Sequence, residues 1–176
     1  MQINAKLSKD KRIEIAAEEI FSKYGYEKAT LDQIISLADV GKGTVYKYFG
    51  NKEQLFYKLV SAKNEPFVEA LRVAVASECE LKDKLTAYFK VMVEFYQKNC
   101  ALWQIIYYEM LNDTHCTVVF DAEDNAQVIS RYSEDTVSDE VKERFLRYHN
   151  LLTSEFEILY KIVVDGMKEG TLKSGN

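Results

Sequence analysis

The hydrophobic positions of the first thirty residues follow the period of an amphipathic helix. Ser8 is a candidate N-cap, and Gly25 favours a stop. Between them the apolar residues recur at the spacing of one helix face, at Ile13, Ala16, Ala17, Ile20, Phe21 and Tyr24. Thr30 followed by Gln33 then has the form of a capping box, which predicts the start of a second, short helix.

A turn and a third helix complete this first region. The residues from Asp39 to Gly41 favour a tight turn, and residues 42–49 predict a helix. Val45 and Phe49 lie four positions apart and therefore face inward together. Two short helices joined by a three-residue turn and braced by a preceding helix are typical of a helix-turn-helix unit, which presents one helix to the major groove of DNA.

Longer apolar stripes occupy most of the remaining chain. Asn51, with Gln54 three positions later, predicts the cap of a fourth helix. Its stripe stays nearly in phase across Pro66, which favours one kinked helix over two separate ones. Further helices are predicted over residues 81–98, 101–112 and 139–168. Residues 112–138 have weak periodicity and many polar residues, so we expect a long, partly mobile connection with room for a short helix.

The composition favours an all-α fold. A single Pro and seven Gly among 176 residues leave few breaks for a many-turned β fold. We predict an N-terminal three-helix helix-turn-helix domain over residues 1–50, joined through a long helix to a helical domain over residues 51–176.

The charge is distributed unevenly between these regions. The whole chain has a net charge of −5, but residues 1–63 hold eleven basic and eight acidic residues, a surplus of three positive charges. The remainder holds twelve basic and twenty acidic residues, a surplus of eight negative charges. Any attraction to nucleic-acid phosphates is therefore expected in the first part.

The third predicted helix has an unusual set of outward residues. Its outward positions carry two tyrosines, two lysines and a threonine, with no acid among them, at Lys42, Thr44, Tyr46, Lys47 and Tyr48. Tyrosine and lysine donate to phosphate oxygens, and threonine offers a hydroxyl and a methyl group to base edges. Gly43 removes a side chain where backbone would approach a duplex. This chemistry favours DNA binding over an ordinary solvated face.

The same residues resemble a known family. The run GKGTVYKYF at 41–49, with NKE at 51–53, is similar to the signature of the TetR family of transcriptional regulators. The resemblance covers residues 10–60 and includes the end of the first helix and its connection, at Phe21, Gly25, Tyr26 and Thr30. Two positions depart from the family pattern: the family usually has Gly where Asp39 stands, and Ser or Ala where Gly41 stands. Asp tolerates a left-handed turn and Gly can cap a helix, so we expect the turn to survive.

The resemblance implies that some of these residues contact DNA phosphates and others contact the bases. It implies phosphate contacts from Thr30, Tyr46, Tyr48 and Lys52. It places Lys42, Gly43, Thr44 and Lys47 nearest the bases. A protein of this type would bind a palindromic double-stranded DNA operator as a homodimer.

The resemblance also implies that the second domain binds a ligand and dimerises. A small-molecule effector would then release the protein from DNA. Candidate ligand residues are large side chains on the later helices, at Met92, Tyr96, Trp103, Tyr107, Tyr148 and Phe156. The same aromatic stripe also fits an ordinary core, and the sequence does not identify the effector. The segment from Gly166 to Leu172 resembles the close of the family's seventh helix. Two more helices usually follow and form the dimer interface, so we expect either a missing segment or dimerisation through another surface, such as the helix over 139–168.

Other function classes have little support. Cys79, Cys100 and Cys116 are too widely spaced for a zinc module, and neither His115 nor His149 has a second ligand at helical spacing. The chain shows no nucleophile beside a base and no phosphate-binding glycine loop, so we expect no enzyme activity, metal or cofactor. Without a membrane span or an apolar leader, a cytoplasmic protein is expected. Two alternatives to a ligand-responsive repressor stay open: a DNA-binding protein of the same fold without an inducer, and a small helical enzyme or interaction module.

Overall fold

The computed structural model describes residues 3–111, 116–120, 126–130 and 138–173. Within these ranges the chain forms six α-helices, one π-helical segment and one pair of strands. In chain order the elements are α1 Lys9–Lys28, α2 Leu31–Ala38, α3 Lys42–Phe49, α4 Lys52–Ala76, α5 Leu81–Ile105, the π-helical segment Ile106–Leu111, β1 Cys116–Phe120, β2 Ala126–Ser130 and α6 Asp139–Lys168. The predicted helical fold class with its N-terminal helix-turn-helix is confirmed.

The ends of the first two helices follow the local signals in the sequence. Gly25 interrupts α1 with φ 76°, a left-handed conformation that favours glycine, and three further residues complete the helix to Lys28. The predicted capping box is present at α2: the Thr30 hydroxyl accepts from the Gln33 amide, and the Gln33 side chain accepts from the Thr30 amide. The predicted cap is confirmed, whereas the predicted stop at Gly25 is a break inside α1, which ends three residues later.

The long helices agree with the prediction in one case and differ in another. α4 runs unbroken through Pro66, as predicted, and Asn51 Oδ1 accepts from the Gln54 amide at 2.8 Å. The predicted break between helices at residues 99 and 100 is wrong, because α5 continues to Ile105. Asn99 Nδ2 donates to the Phe95 carbonyl at 2.9 Å, so this polar side chain bonds back to its own helix instead of ending it.

The connection before α6 contains strands in its described parts. β1 and β2 pair antiparallel, with Thr117 opposite Ile129 and Val119 opposite Gln127. The expected short helix is therefore not found in these stretches, and the rest of residues 112–138 lies outside the described ranges, apart from Ser138, the N-cap of α6. The β-branched residues of both strands favour extended backbone, a signal that a search for helical periodicity overlooks. α6 begins and ends at the predicted residues, 139 and 168.

The chain divides into two compact units. Unit 1 comprises Met1–Lys63 and Ala101–Asp113, and unit 2 comprises Asn64–Cys100 and Thr114–Asn176. α4 and α5 each contribute residues to both. The domain boundary predicted at residue 50 marks the end of the three-helix motif and remains a prediction. No helix in the described ranges combines the length and apolar character needed to cross a membrane.

Each unit has its own buried core. In unit 1 the ring of Phe56 meets the rings of Phe21 and Tyr26 edge-on, at centroid distances of 4.9 and 5.3 Å. In unit 2 the ring of Phe67 stacks on that of Phe95 at 3.8 Å. Burial of each such side chain stabilises the fold by about 1.5–3 kcal/mol, so these clusters hold α1 against α4 and α4 against α5.

Candidate nucleic-acid interface

The third helix presents the predicted outward face. Val45 and Phe49 are buried, with 1% and 5% of their surface exposed, which confirms their inward orientation. Tyr46 and Tyr48 are 47% and 46% exposed. Lys42, Gly43 and Lys47 are also exposed, and Thr44 is half-buried. Two exposed tyrosines beside two exposed lysines and no acid on one short helix form a patch whose donors suit phosphate oxygens.

Packing within the protein does not require a glycine at position 43. A Cβ built on this residue would meet no heavy atom of the protein within 4 Å, apart from its own chain neighbours and helix backbone. A glycine inside a helix is less stable than an alanine by about 0.5–1 kcal/mol. Because no packing contact inside the protein requires glycine at this position, the space beside Gly43 is available to an external molecule.

The start of α2 offers a further exposed polar group. Thr30 is exposed, and its hydroxyl oxygen accepts the Gln33 amide at 3.2 Å. The hydroxyl hydrogen can still donate to an anion while the oxygen caps the helix. Lys42 Nζ lies 3.2 Å from Asp32 Oδ1, and both side chains are mostly exposed, so this ion pair is weak and readily exchanged.

Arg12 of α1 holds the turn between α2 and α3. Its guanidinium donates to the Ala38 carbonyl at 2.9 and 2.6 Å, and to the Asp39 carbonyl. Asp39 has φ 50°, the left-handed conformation expected at this position, and its carboxylate lies 3.2 Å from the same guanidinium. Arg12 thus caps the carbonyl end of α2 and stabilises a strained turn. Nothing in the sequence pattern indicated this contact, because its partners are 26 and 27 residues away.

Lys52 has internal partners in place of a free ammonium group. Its Nζ donates to the carbonyls of Tyr26, Glu27 and Ala29 at 2.9, 3.4 and 3.2 Å. It also lies 4.3 Å from the centroid of the Tyr26 ring. The family resemblance implies a phosphate contact for Lys52. In the folded chain its ammonium instead binds the carbonyl end of α1 and fixes the start of α4 against it.

Lys58 makes the third contact of this kind. Its Nζ donates to the Tyr48 carbonyl at 2.8 Å and lies 5.2 Å from the centroid of the Phe49 ring. The carbonyl ends of α1, α2 and α3 are therefore each bound by a cation from another helix. Lys58 was not identified from the sequence, where a lysine in an amphipathic helix is usually a solvated one.

The candidate ligand residues are distributed over both units. Met92 and Tyr96 pack against the core cluster of unit 2, Tyr148 is fully buried in the same unit, and Phe156 is 51% exposed. Trp103 and Tyr107 belong to unit 1, the former buried and the latter 40% exposed. Within unit 2 the structure thus brings Met92 and Tyr96 to one cluster and leaves Phe156 at the surface.

A polar cluster in unit 2 was not predicted from the sequence. Glu155 is fully buried, and its Oε1 accepts from the Tyr96 hydroxyl at 2.5 Å. Burial raises the pKa of the Glu155 carboxyl, and the Tyr96 hydrogen bond partly offsets that shift. The Tyr88 hydroxyl donates to the Glu155 carbonyl at 3.1 Å, and burial with the nearby carboxylate raises the pKa of Tyr88 to about 12. Asn64 Nδ2 donates to the Leu151 carbonyl at 3.1 Å.

The sequence of this region matches a family of DNA-binding proteins. Residues 15–59 match the family described as bacterial regulatory proteins, tetR family. These residues include α2, α3 and the capping cations Lys52 and Lys58. The match therefore covers most of the interface described above.

Relatives extend the likeness over most of the chain. The uncharacterized HTH-type transcriptional regulator YhgD of Bacillus subtilis (strain 168) is 27% identical over 168 residues, which are 95% of this chain and 73% of that protein. The fatty acid metabolism regulator protein of the same organism is 26% identical over 160 residues, 91% of this chain and 69% of that protein. The crystal structure of the regulator FadR from Bacillus subtilis in complex with stearoyl-CoA has a TM-score of 0.64 and 20% identity, covering 94% of this chain and 75% of that one. At that identity the structural likeness establishes the fold.

Proposed function

Since the chain belongs to the TetR family of bacterial regulatory proteins, we propose that it is a repressor that binds a palindromic operator as a homodimer and is released by a small molecule. A DNA-binding transcriptional regulator is the function of the family as a whole. Repression, the palindrome and the release by a ligand are our proposals for this chain. They place its activity in the cytoplasm, where bacterial DNA lies.

The outward face of α3 is the observation that carries the proposal. It combines two half-exposed tyrosines, exposed lysines and a glycine whose missing side chain serves no internal packing. We propose that Lys42, Gly43, Thr44 and Lys47 approach base edges, and that Thr30, Tyr46 and Tyr48 donate to phosphates. Lys52 acts in this proposal by holding α4 and the end of α1 in place.

The proposed ligand class comes from the named relatives. One relative regulates fatty acid metabolism, and a similar structure contains stearoyl-CoA. A long apolar chain is compatible with the large side chains of unit 2, among them Met92, Tyr96 and Tyr148. We therefore propose fatty acyl thioesters as the first class to test, with contacts from the six candidate residues named from the sequence.

A second candidate function is a DNA-binding regulator without an inducer. The close packing in unit 2 favours it, since Phe67 and Phe95 stack at 3.8 Å and Tyr96 is bonded to Glu155 at 2.5 Å. A ligand that entered between these groups would have to separate them. Under this hypothesis the protein binds the same operator with or without an added small molecule.

The experiment selects binders from a randomised pool of DNA duplexes with this chain and measures their affinity by fluorescence anisotropy over a range of salt. We expect a palindrome and a steep salt dependence. Stearoyl-CoA is then titrated into the complex, with free coenzyme A as the control. Loss of anisotropy with the thioester alone supports the ligand-responsive repressor, and an unchanged complex favours the alternative.

Two variants of α3 test the assigned roles. Thr44→Ala should weaken binding to the selected duplex about five-fold or more and spare unrelated DNA, since base contacts discriminate by about 1–3 kcal/mol. Tyr46→Phe removes only a hydroxyl and should weaken binding to both duplexes equally. Equal losses for Thr44→Ala on both DNAs would contradict its role at the bases.

A further inference from the structure

Lys58 joins α4 to the last turn of the helix that carries the proposed DNA-reading face. Its ammonium donates to the Tyr48 carbonyl at 2.8 Å and lies over the Phe49 ring at 5.2 Å. Tyr48 and Phe49 are the last two residues of α3. The geometry points to Lys58 as a positioning residue that fixes the carbonyl end of α3 to α4 and so sets the orientation of Tyr46, Lys47 and Tyr48 on DNA. This inference rests on the proposed function.

The end of α3 needs such a contact. The last carbonyls of a helix have no donor within the helix, and together they form its negative end. α3 has only eight residues, and a helix of this length is not stable by itself in water. The Gly50 amide binds the Tyr46 carbonyl at 3.0 Å, and Lys58 supplies a charged donor to the Tyr48 carbonyl. The turn that carries the tyrosines therefore depends on a side chain from α4.

A positioning role and a phosphate contact have different signatures. Lys58 is on the surface and positively charged, so a direct contact to DNA is the alternative role. A lysine that binds a phosphate contributes to affinity for every sequence, and its loss lowers the slope of log affinity against log salt by about 0.9. A residue that orients the reading helix affects the selected sequence most and leaves the slope unchanged.

The test compares Lys58→Met with Lys63→Met on the selected duplex and on an unrelated duplex of equal length. Methionine keeps an apolar stem over Phe49 but removes the donor and the charge. Lys63 lies on the same helix and pairs with Glu18 at 2.9 Å, so its replacement removes an equal charge without touching α3. We expect Lys58→Met to lower affinity for the selected duplex about tenfold, with less than about twofold loss on unrelated DNA and an unchanged salt slope. For Lys63→Met the ratio of the two affinities should stay within about twofold of the parent protein.

Two further measurements keep the inference falsifiable. Lys58→Arg retains a charged donor and should restore the affinity ratio to within about twofold of the parent protein. In the free protein, amide exchange at Gly50, the cap of α3, should become faster in Lys58→Met and stay unchanged in Lys63→Met. Equal loss on both duplexes with a shallower salt slope, a ratio that Lys58→Arg does not restore, or unchanged exchange at Gly50 would each overturn the inference. Because the exchange is measured without DNA, it tests Lys58 even if the parent protein selects no sequence, a result that would count against the proposed function alone.

Discussion

The helix-turn-helix region and the interior of unit 2 satisfy their polar groups in different ways. In the first, the carbonyl ends of three helices are bound by Arg12 of α1 and by Lys52 and Lys58 of α4. In the second, the buried atoms Asn64 Oδ1 and Glu155 Oε2 have no hydrogen-bond partner among the described residues. Charged donors at these three helix ends favour one defined arrangement, whereas buried acceptors without donors cost free energy. The comparison indicates a helix-turn-helix whose helix ends are capped by charged side chains, and a second unit whose core keeps polar atoms without such donors.

Replacement of Arg12 should give the largest effect on stability. Arg12→Met removes a charged donor from the carbonyls of Ala38 and Asp39, and we expect the free energy of unfolding to fall by about 2–3 kcal/mol. Urea unfolding measures this change. The matched control is Lys11→Met, which removes an exposed ion pair with Glu14 and should cost no more than about 0.5 kcal/mol. Equal effects for the two variants would mean that the turn does not depend on its cap.

Replacement of Lys52 should give the second-largest loss of stability. Lys52→Met removes the donor to the end of α1, and we expect a loss of about 1–2 kcal/mol in the free energy of unfolding. The salt slope of DNA binding should stay close to that of the parent protein, because the ammonium is engaged internally. A slope lowered by about 0.9 with unchanged stability would return Lys52 to the phosphate-binding role that the family resemblance implies.

Replacement of Gly43 should change stability and DNA affinity in opposite directions. Gly43→Ala should raise the free energy of unfolding by about 0.5–1 kcal/mol, because alanine is the better helix former and its Cβ has room. The same methyl group should lower affinity for the selected duplex about tenfold, since it occupies the space left for DNA. Thermal unfolding and anisotropy together measure both signs. If Gly43→Ala were more stable and bound the selected duplex equally well, DNA would not occupy the space beside Gly43.

The buried carboxyl of Glu155 in unit 2 should make the stability of the protein depend on pH. The pKa of Glu155 is raised by burial, so the folded protein holds this proton more tightly than the unfolded chain does. The stabilisation from the neutral carboxyl is complete below the ordinary value of 4.5 and is lost as the pH rises through the folded-state pKa. Glu155→Gln keeps a neutral group, and we expect it to gain about 1 kcal/mol, or about 2–4 °C in melting temperature, over the parent protein at pH 8 but not at pH 4.5. A difference between the two melting temperatures that does not change with pH would contradict an ionised buried Glu155.

Local signals in the sequence predicted much of the first region. The capping box at Thr30, the break in α1 at Gly25 and the inward positions Val45 and Phe49 all depend on neighbours within a few residues. The resemblance read from residues 41–53 is confirmed by the family match over residues 15–59. Such features are predictable because helix period, caps and turn residues act over one or two turns.

The contacts that hold the motif together could not be predicted in this way. Arg12 and Lys52 reach carbonyls up to 27 residues away, and backbone carbonyls leave no trace in the amino-acid sequence. The Glu155 cluster has the same character, because Tyr96 is 59 residues away from its partner. The strands β1 and β2 could not be predicted for another reason: each has only five residues, and such short runs do not show a clear strand period.

The three cations that cap helix ends also affect how mutational scans of this protein would be interpreted. In a selection for DNA binding in living cells, substitutions at Arg12, Lys52 and Lys58 would be depleted along with those at Lys42 and Lys47. The depleted basic residues would then outline a DNA-binding surface that is larger than the true one and lies too close to α4. Scoring each variant a second time for protein abundance would separate the residues that contact DNA from those that hold α3 in place.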